Sequence, residues 1–332
     1  MLKSPTHPSG PTRQLSTDQA SLSEAVALLR AGGTVAFPTE TVYGLGADAT
    51  SGEAVARIYE AKRRPSFNPL IAHLPDAEAA MAHGRFNAAA RTLAQTFWPG
   101  PMTLVVPVSP ESTICDLARA GLATVGLRAP SHPSATALLK AVGRPIVAPS
   151  ANLSGHVSAT SAQHVLADLD GRIDAVIDGG VTTVGLESTI IECVDDQPRL
   201  LRAGGVPRDA VRTALGMDLA VAEGAGEAVI APGMLESHYA PRARVRLDAR
   251  QIDPGEAALL FGPAAPAGIA QASAVINLSP AGDLIEAAAR LFAALRELDA
   301  AGTATIAAAP IPKVGLGEAI RDRLRRAAAP RG

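Results

Sequence analysis

Short apolar runs that alternate with amphipathic stretches of helical period are the feature that most restricts what this chain can fold into. Runs at 34–37, 70–73, 102–108, 124–128, 145–148, 175–178 and 188–193, with Leu200 and Leu201 after them, read as buried strands. Between them 53–62, 88–97 and 133–142 read as helices, and a capped helix begins at Pro207. Ahead of the first strand, Ser16, Thr17 or Asp18 can cap a helix whose Leu22, Val26 and Leu29 share one face and which stops at Gly32-Gly33. Strands separated by helices bury both their faces against those helices, so an α/β layered domain is expected.

The pattern lapses in two places. Residues 1–14, rich in Pro, Ser and Thr, read as a disordered lead. Residues 217–242 turn to Gly, Ala, Glu and Pro without a sustained period and read as a linker. Beyond them 244–247, 257–261 and 274–277 read as strands and 283–298 as an amphipathic helix. The expected division is a larger domain over 15–216 and a smaller α/β domain over 243–332, and 332 residues that are 47% apolar suffice for two cores.

Charge and cysteine usage limit the function classes. With 30 basic and 32 acidic residues, no overall field draws the chain to nucleic acid or an anionic membrane, so any polyanion site has to be local. Cys115 and Cys193 are far apart and match no zinc spacing. No secretory signal is present and no apolar run is long enough to cross a bilayer, so a soluble cytoplasmic protein without membrane partners is expected.

The residues that carry chemistry sit at strand and helix ends. Lys62, Arg63 and Arg64 close a helix just before Pro65, and Pro149-Ser150-Ala151-Asn152 follows an apolar strand. The first supplies fixed cations, with Arg able to grip phosphate bidentately; the second supplies uncharged hydrogen-bonding groups. Together they suit a nucleoside triphosphate, although the basic run alone also fits a solvated helix end. The segment 38–46 leaves a strand for a Gly-punctuated turn, where Thr39 and Thr41 can bond a small polar substrate. Asn68 and Pro69 mark the turn before a strand that ends in His73. Arg128 and Arg202 are cations at the ends of buried strands, costly unless an anion or water meets them. Glu187-Ser188-Thr189 opens another strand with two hydroxyls. Neither GxxxxGK[ST] nor a dinucleotide GxGxxG is present, which disfavours a P-loop or Rossmann oxidoreductase site.

These segments, FPTETVYGLG at 37–46, Lys62-x-Arg64-Pro65, PLIAH at 69–73, WPGP at 98–101, VGLRAP at 125–130, PSAN at 149–152 and ESTI at 187–190, resemble the YrdC-like threonylcarbamoyl-AMP synthases. The rest resembles that family's long, two-domain form, in which a linker with PGM at 232–234 and HYAP at 238–241 leads to a smaller domain. The closing segment resembles the family more loosely, because an Asn-Arg pair is usual where this chain has Asp322-Arg323.

The resemblance implies a YrdC-like twisted mixed sheet with helices around a concave basic cavity, plus a smaller Rossmann-like α/β domain. It implies synthesis of threonylcarbamoyl adenylate and pyrophosphate from L-threonine, bicarbonate or CO2, and ATP. A downstream transferase complex then uses the adenylate to modify adenosine 37 of tRNAs that read codons beginning with A, so tRNA is met only indirectly or weakly. Lys62 and Arg64 would be the catalytic pair on the phosphates, with Asn68, Thr103, Arg128, Ser150, Asn152, Arg202 and Tyr239 also on ATP. Thr39, His73 and Ser188 would hold threonine. Mg2+ would accompany ATP on phosphate oxygens and not on protein side chains. The linker would close over the nucleotide or simply pack between domains. Two other readings stay open: an RNA-binding module, and a carbamoyl-adenylate enzyme of the hydrogenase-maturation type, which would need zinc-finger cysteines this chain lacks.

Overall fold

A computed structural model describes residues 10–221 and 239–330. An 11-stranded mixed sheet runs in the order Arg13–Leu15, Ala175–Ile177, Val35–Phe37, Gly44–Asp48, Ile146–Val147, Ile71–His73, Thr124–Arg128, Met102–Pro107, Thr189–Glu192, Arg199–Arg202 and Ala220–Val221. A 4-stranded, all-parallel sheet runs Arg244–Arg246, Thr305–Ala308, Ala257–Leu260, Ala274–Asn277. The expected mixed sheet with a smaller parallel α/β unit is therefore present.

Local chemistry accounts for most helix boundaries. Asp18, Ser51, Asn87 and Ser161 each accept a backbone N–H from the first turn of the helix that follows. The helix Pro133–Val142 starts on a proline and ends at Gly143 in the left-handed region, the two ends the sequence marks most clearly. Arg208–Leu215 departs from expectation in having no side-chain cap, because Pro207 occupies that position.

The large sheet is covered unevenly, and this creates the site. On one face the helices Gly52–Lys62, Ala88–Phe97, Ala162–Leu169 and Arg208–Leu215 bury a long core that includes Ile58, Leu93, Leu104, Leu127 and Ile191. On the other face Gln19–Arg30 and Pro133–Val142 cover only the strands near Val35, Ile146 and Ala175. That face continues past Phe37 as a small apolar group, Ile71, Val105, Ile190 and Leu201, with no helix packed on it among the described residues. By the two-residue period of a strand it also presents His73, Thr103, Arg128 and Ser188.

The second unit docks beside this half of the sheet. Its core, built on Ala287, Leu291, Leu295, Ile306 and Ile320, also takes in Val42, Val157 and Leu186 from the first unit and Tyr239. Gly185 lies against the helix Leu284–Ala300 so closely that a Cβ on it would come within 2.4 Å of the Ala288 oxygen, and its φ of +71° excludes other residues as well.

Some elements differ from the sequence reading. The turn expected at 38–46 is in part a strand, Gly44–Asp48, paired antiparallel to Val35–Phe37. Glycine there reflects crowding: a Cβ on Gly46 would lie 2.8 Å from the Phe37 ring, and one on Gly44 would lie 3.0 Å from the Ala148 Cβ. The expected disordered lead overlaps the strand Arg13–Leu15, whose parallel ladder to Ala175–Ile177 satisfies its backbone. The helices Ala162–Leu169 and Gly317–Ala328 and the strand Thr305–Ala308 had not been expected. The linker segment 222–238, with the closure expected of it, lies outside the described residues.

Candidate active site

The helix Gly52–Lys62 ends on Arg63 in the left-handed region, φ 51°. For a residue other than glycine this costs about 1 kcal/mol or more, and such strain is concentrated at functional sites. It turns Lys62 and Arg64 inward, to 1% and 9% exposure. Lys62 Nζ donates to the carbonyl oxygens of Ser150 (2.6 Å) and Asn152 (2.5 Å), so the basic element and the PSAN loop are bonded into one structure. The Ser154 N–H donates to the Lys62 carbonyl, 2.9 Å, and fastens the same two segments from the backbone side. Arg64 donates to the carbonyls of Asn68 (3.4 Å) and Pro69 (3.1 Å). Asn152 uses its amide N–H groups on Leu153 O and His156 O, leaving its Oδ1, like that of Asn68, buried without a partner. Ser150 is half-buried beside them.

On the sheet face without the helix Gly52–Lys62, His73 pairs in register with Arg128. The Arg128 guanidinium reaches the Glu40 carboxylate at 2.6 Å and the Thr41 hydroxyl at 2.9 Å, and the Ser131 N–H donates to the other Glu40 oxygen. Thr103 and Ser188 share a hydrogen bond between hydroxyls, 2.7 Å, and Arg202 donates to both the carbonyl and the hydroxyl of Ser188. His73 is pushed down to about 3, by burial first and by Arg128 second, so its ring is neutral with Nδ1 against the Ile71 carbonyl at 3.2 Å. Thr39 stands in the adjoining loop, but its hydroxyl is engaged locally with Thr41 Oγ1 and the Val42 carbonyl.

Electrostatics joins the two clusters. Burial, then Arg64, depresses Lys62 well below the usual ammonium range. Arg64 is lowered to about 10 by burial, with Arg202 adding to the effect; Arg202 is in turn lowered by burial and by Arg323 and Arg128. Lys62, Arg64, Arg202 and Arg128 thus form a row of buried cations that repel one another. Among the described residues, neither Lys62 nor Arg64 is paired with a carboxylate. Such a row suits a ligand with several adjacent negative charges.

Three residues matter that sequence reasoning assigned no role. Glu40 holds Arg128. Glu187 accepts from Ser158 (2.5 Å) and from Arg323 (2.8 Å), which belongs to the last helix of the second unit. Arg323 is fully buried, bonds Asp322 at 2.7 Å and the Ala203 carbonyl at 2.9 Å, and lies 5.1 Å from the centre of the Tyr239 ring. Tyr239 stacks on Phe292, with ring centres 5.5 Å apart, and burial raises its hydroxyl, which keeps it a neutral phenol. The sequence signal for Glu40 and Glu187 was a carboxylate flanked by hydroxyl residues in an otherwise buried motif. Nothing in the sequence ties Arg323 to a partner 136 positions away. The Asp322 that departs from the family pattern fits here, because its carboxylate also bonds Arg325 and Arg326.

A family model described as telomere recombination, for the Sua5, YciO and YrdC proteins, matches residues 27–204. A second, described as the threonylcarbamoyl-AMP synthase C-terminal domain, matches residues 197–329. The curated threonylcarbamoyl-AMP synthase of Bacillus subtilis is 42% identical over 332 residues, spanning 96% of this chain and 95% of that one. This chain belongs to the threonylcarbamoyl-AMP synthase family.

Structure agrees with sequence. The crystal structure of Pyrococcus abyssi Sua5 complexed with L-threonine matches with a TM-score of 0.86 at 36% identity, over 96% of this chain and 97% of that chain. Escherichia coli YciO, at 26% identity and a TM-score of 0.51, covers 96% of its own length but only 59% of this chain. The two-unit architecture is shared with the first and not with the second. Among the described residues no helix is long and apolar enough to cross a membrane, and no three His, Cys, Asp or Glu side chains converge as a metal site.

Proposed function

We propose that the chain makes threonylcarbamoyl-AMP, joining L-threonine, bicarbonate or CO2, and the AMP part of ATP, with release of pyrophosphate. The observation that carries this reading is the row Lys62, Arg64, Arg202, Arg128, buried and mutually repelling, with Lys62 bonded to the PSAN loop. A triphosphate neutralises Lys62 and Arg64, and Ser150, Asn152, Asn68 and Tyr239 orient the nucleotide beside them, with Arg128 and Arg202 close by. Threonine lies on the sheet face near His73, Thr103 and Ser188. His73, neutral, accepts a hydrogen bond from the substrate; Thr39 shapes the loop above it.

The reaction needs no enzyme nucleophile. The neutral threonine amine takes up CO2 as a carbamate, a carbamate oxygen attacks the α-phosphorus in line, and pyrophosphate leaves with the electron pair of the broken P–O bond. Positioning and neutralisation of the charge that grows on the leaving group supply the acceleration. Mg2+ accompanies ATP. The site's carboxylates, Glu40 and Glu187, are each committed to an arginine, so phosphate oxygens and water are the fitting ligands. The adenylate then passes to a separate transferase that modifies tRNA, in the cytoplasm.

Pyrophosphate release with ATP and Mg2+, adding threonine and bicarbonate singly and together, tests the reading. Release that requires both, and collapses in folded Lys62→Ala and Ser150→Ala variants, is expected. Release independent of threonine would overturn it.

A further inference from the structure

Gly126 lies within a regular strand on the site face, flanked in register by Ile71 on one side and Val105 on the other. Its backbone does not require glycine, since its φ is outside the left-handed region. Packing does not require it either. Among the described residues, an added Cβ would meet nothing nearer than Ile71 Cγ1 at 3.6 Å and the Thr103 methyl at 3.7 Å, both ordinary contacts. The strand glycines Gly44 and Gly46 differ, with neighbours at 3.0 and 2.8 Å that already fill the place of a side chain.

A strand glycine with room for a Cβ marks a place where something other than the protein approaches the backbone. Gly126 is half-buried, whereas Val125 and Leu127 on either side, which face the main core, are buried. The resulting notch is apolar at its walls, since Thr103 turns its methyl toward it and its hydroxyl toward Ser188. The polar groups begin one strand period away, at His73 and Arg128.

We propose that the Gly126 notch receives the side-chain methyl of threonine and so sets the preference for threonine over serine. This rests on the threonine reading above. With the substrate hydroxyl at the Thr103–Ser188 pair, the methyl on the same carbon falls onto the apolar floor between Ile71 and Val105. Serine leaves that volume empty. A methyl in an apolar pocket discriminates by roughly tenfold to two-hundredfold, which is the preference the notch can supply.

The test compares pyrophosphate release with threonine and with serine, at saturating ATP and bicarbonate, in the full chain and in Gly126→Ala. The alanine methyl occupies the notch, so the threonine-to-serine ratio of kcat/KM is expected to fall about tenfold or more, through a raised KM for threonine. An equal loss with both amino acids, or an unchanged ratio, overturns the proposal. A wild-type chain that releases no pyrophosphate with threonine would instead sink the parent reading. Ile71→Ala provides a second approach, and the only one if Gly126→Ala does not fold. Widening the wall should raise use of 3-hydroxynorvaline, one methylene longer than threonine, relative to threonine. No relative gain would count against the notch.

Discussion

Two regions of this molecule bury cations, and they satisfy them differently. At the contact between units Arg323 meets the carboxylates of Glu187 and Asp322, a backbone carbonyl and the face of Tyr239. Lys62 and Arg64, among the described residues, meet only neutral carbonyl oxygens. The first arrangement is complete in itself and fixes one piece of structure against another. The second leaves charge uncompensated, a cost that folding alone does not explain and that an arriving anion removes. Burial by itself therefore does not separate structural charge from functional charge. The partner does.

The contrast is most exposed to failure at Arg323. Arg323→Ala strands Glu187 in the interior and is expected to destabilise by about 3–5 kcal/mol, read from the denaturant midpoint. Restoring part of that loss with Glu187→Gln in the same chain would confirm that the stranded carboxylate is the cause; no restoration would mean packing dominates.

Lys62→Met is expected to do the reverse. Stability should hold or rise, because the loss of two hydrogen bonds is offset by removing a desolvated amine that has no counter-ion, while turnover falls by about 10²–10³. A large loss of stability with residual turnover would assign Lys62 to the structural class. The acid limb sharpens the comparison further. His73, neutral in the fold down to about 3, contributes stability that is fully present above about 6.5 and is lost as pH falls from there toward about 3, because the unfolded chain takes up the proton first. The slope within that window is up to about 1.4 kcal/mol per pH unit from this group. His73→Gln should flatten the slope without abolishing it, since His164 is lowered to about 4 by burial and then by Arg296. At the small end, the exposed pair Arg290–Glu286 in the helix Leu284–Ala300 should matter by only about 0.3–0.5 kcal/mol when either is replaced by Ala.

Much of this was legible in the sequence where local rules agree with the tertiary outcome. The helices Ala88–Phe97 and Pro133–Val142 fall where they were expected, because an apolar period and a terminal signal coincide. The strand Gly44–Asp48 was hidden because glycine signals a turn locally, whereas here it makes room for the Phe37 ring and Ala148. The site residues Lys62, Arg64, Asn68, Ser150 and Asn152 converge, and His73, Thr103, Arg128 and Ser188 share one sheet face, as strand-end and loop positions allow. Thr39, expected on the substrate, lies in the adjoining loop with its hydroxyl bonded to Thr41 Oγ1 and the Val42 carbonyl. The roles of Glu40 and Arg323 depend on partners 88 and 136 positions away, and no periodicity or spacing encodes such pairs.

The most direct measurement of the central claim is calorimetric titration of the protein with ATP in two buffers of different ionisation enthalpy, at a series of pH values below the usual lysine range. Burial and Arg64 hold Lys62 well below the usual ammonium range, and a triphosphate beside it pushes it back up. The account predicts net proton uptake on binding that disappears in Lys62→Met, together with much of the affinity. Binding of equal strength in the variant, or binding without proton uptake in the parent chain, would contradict it.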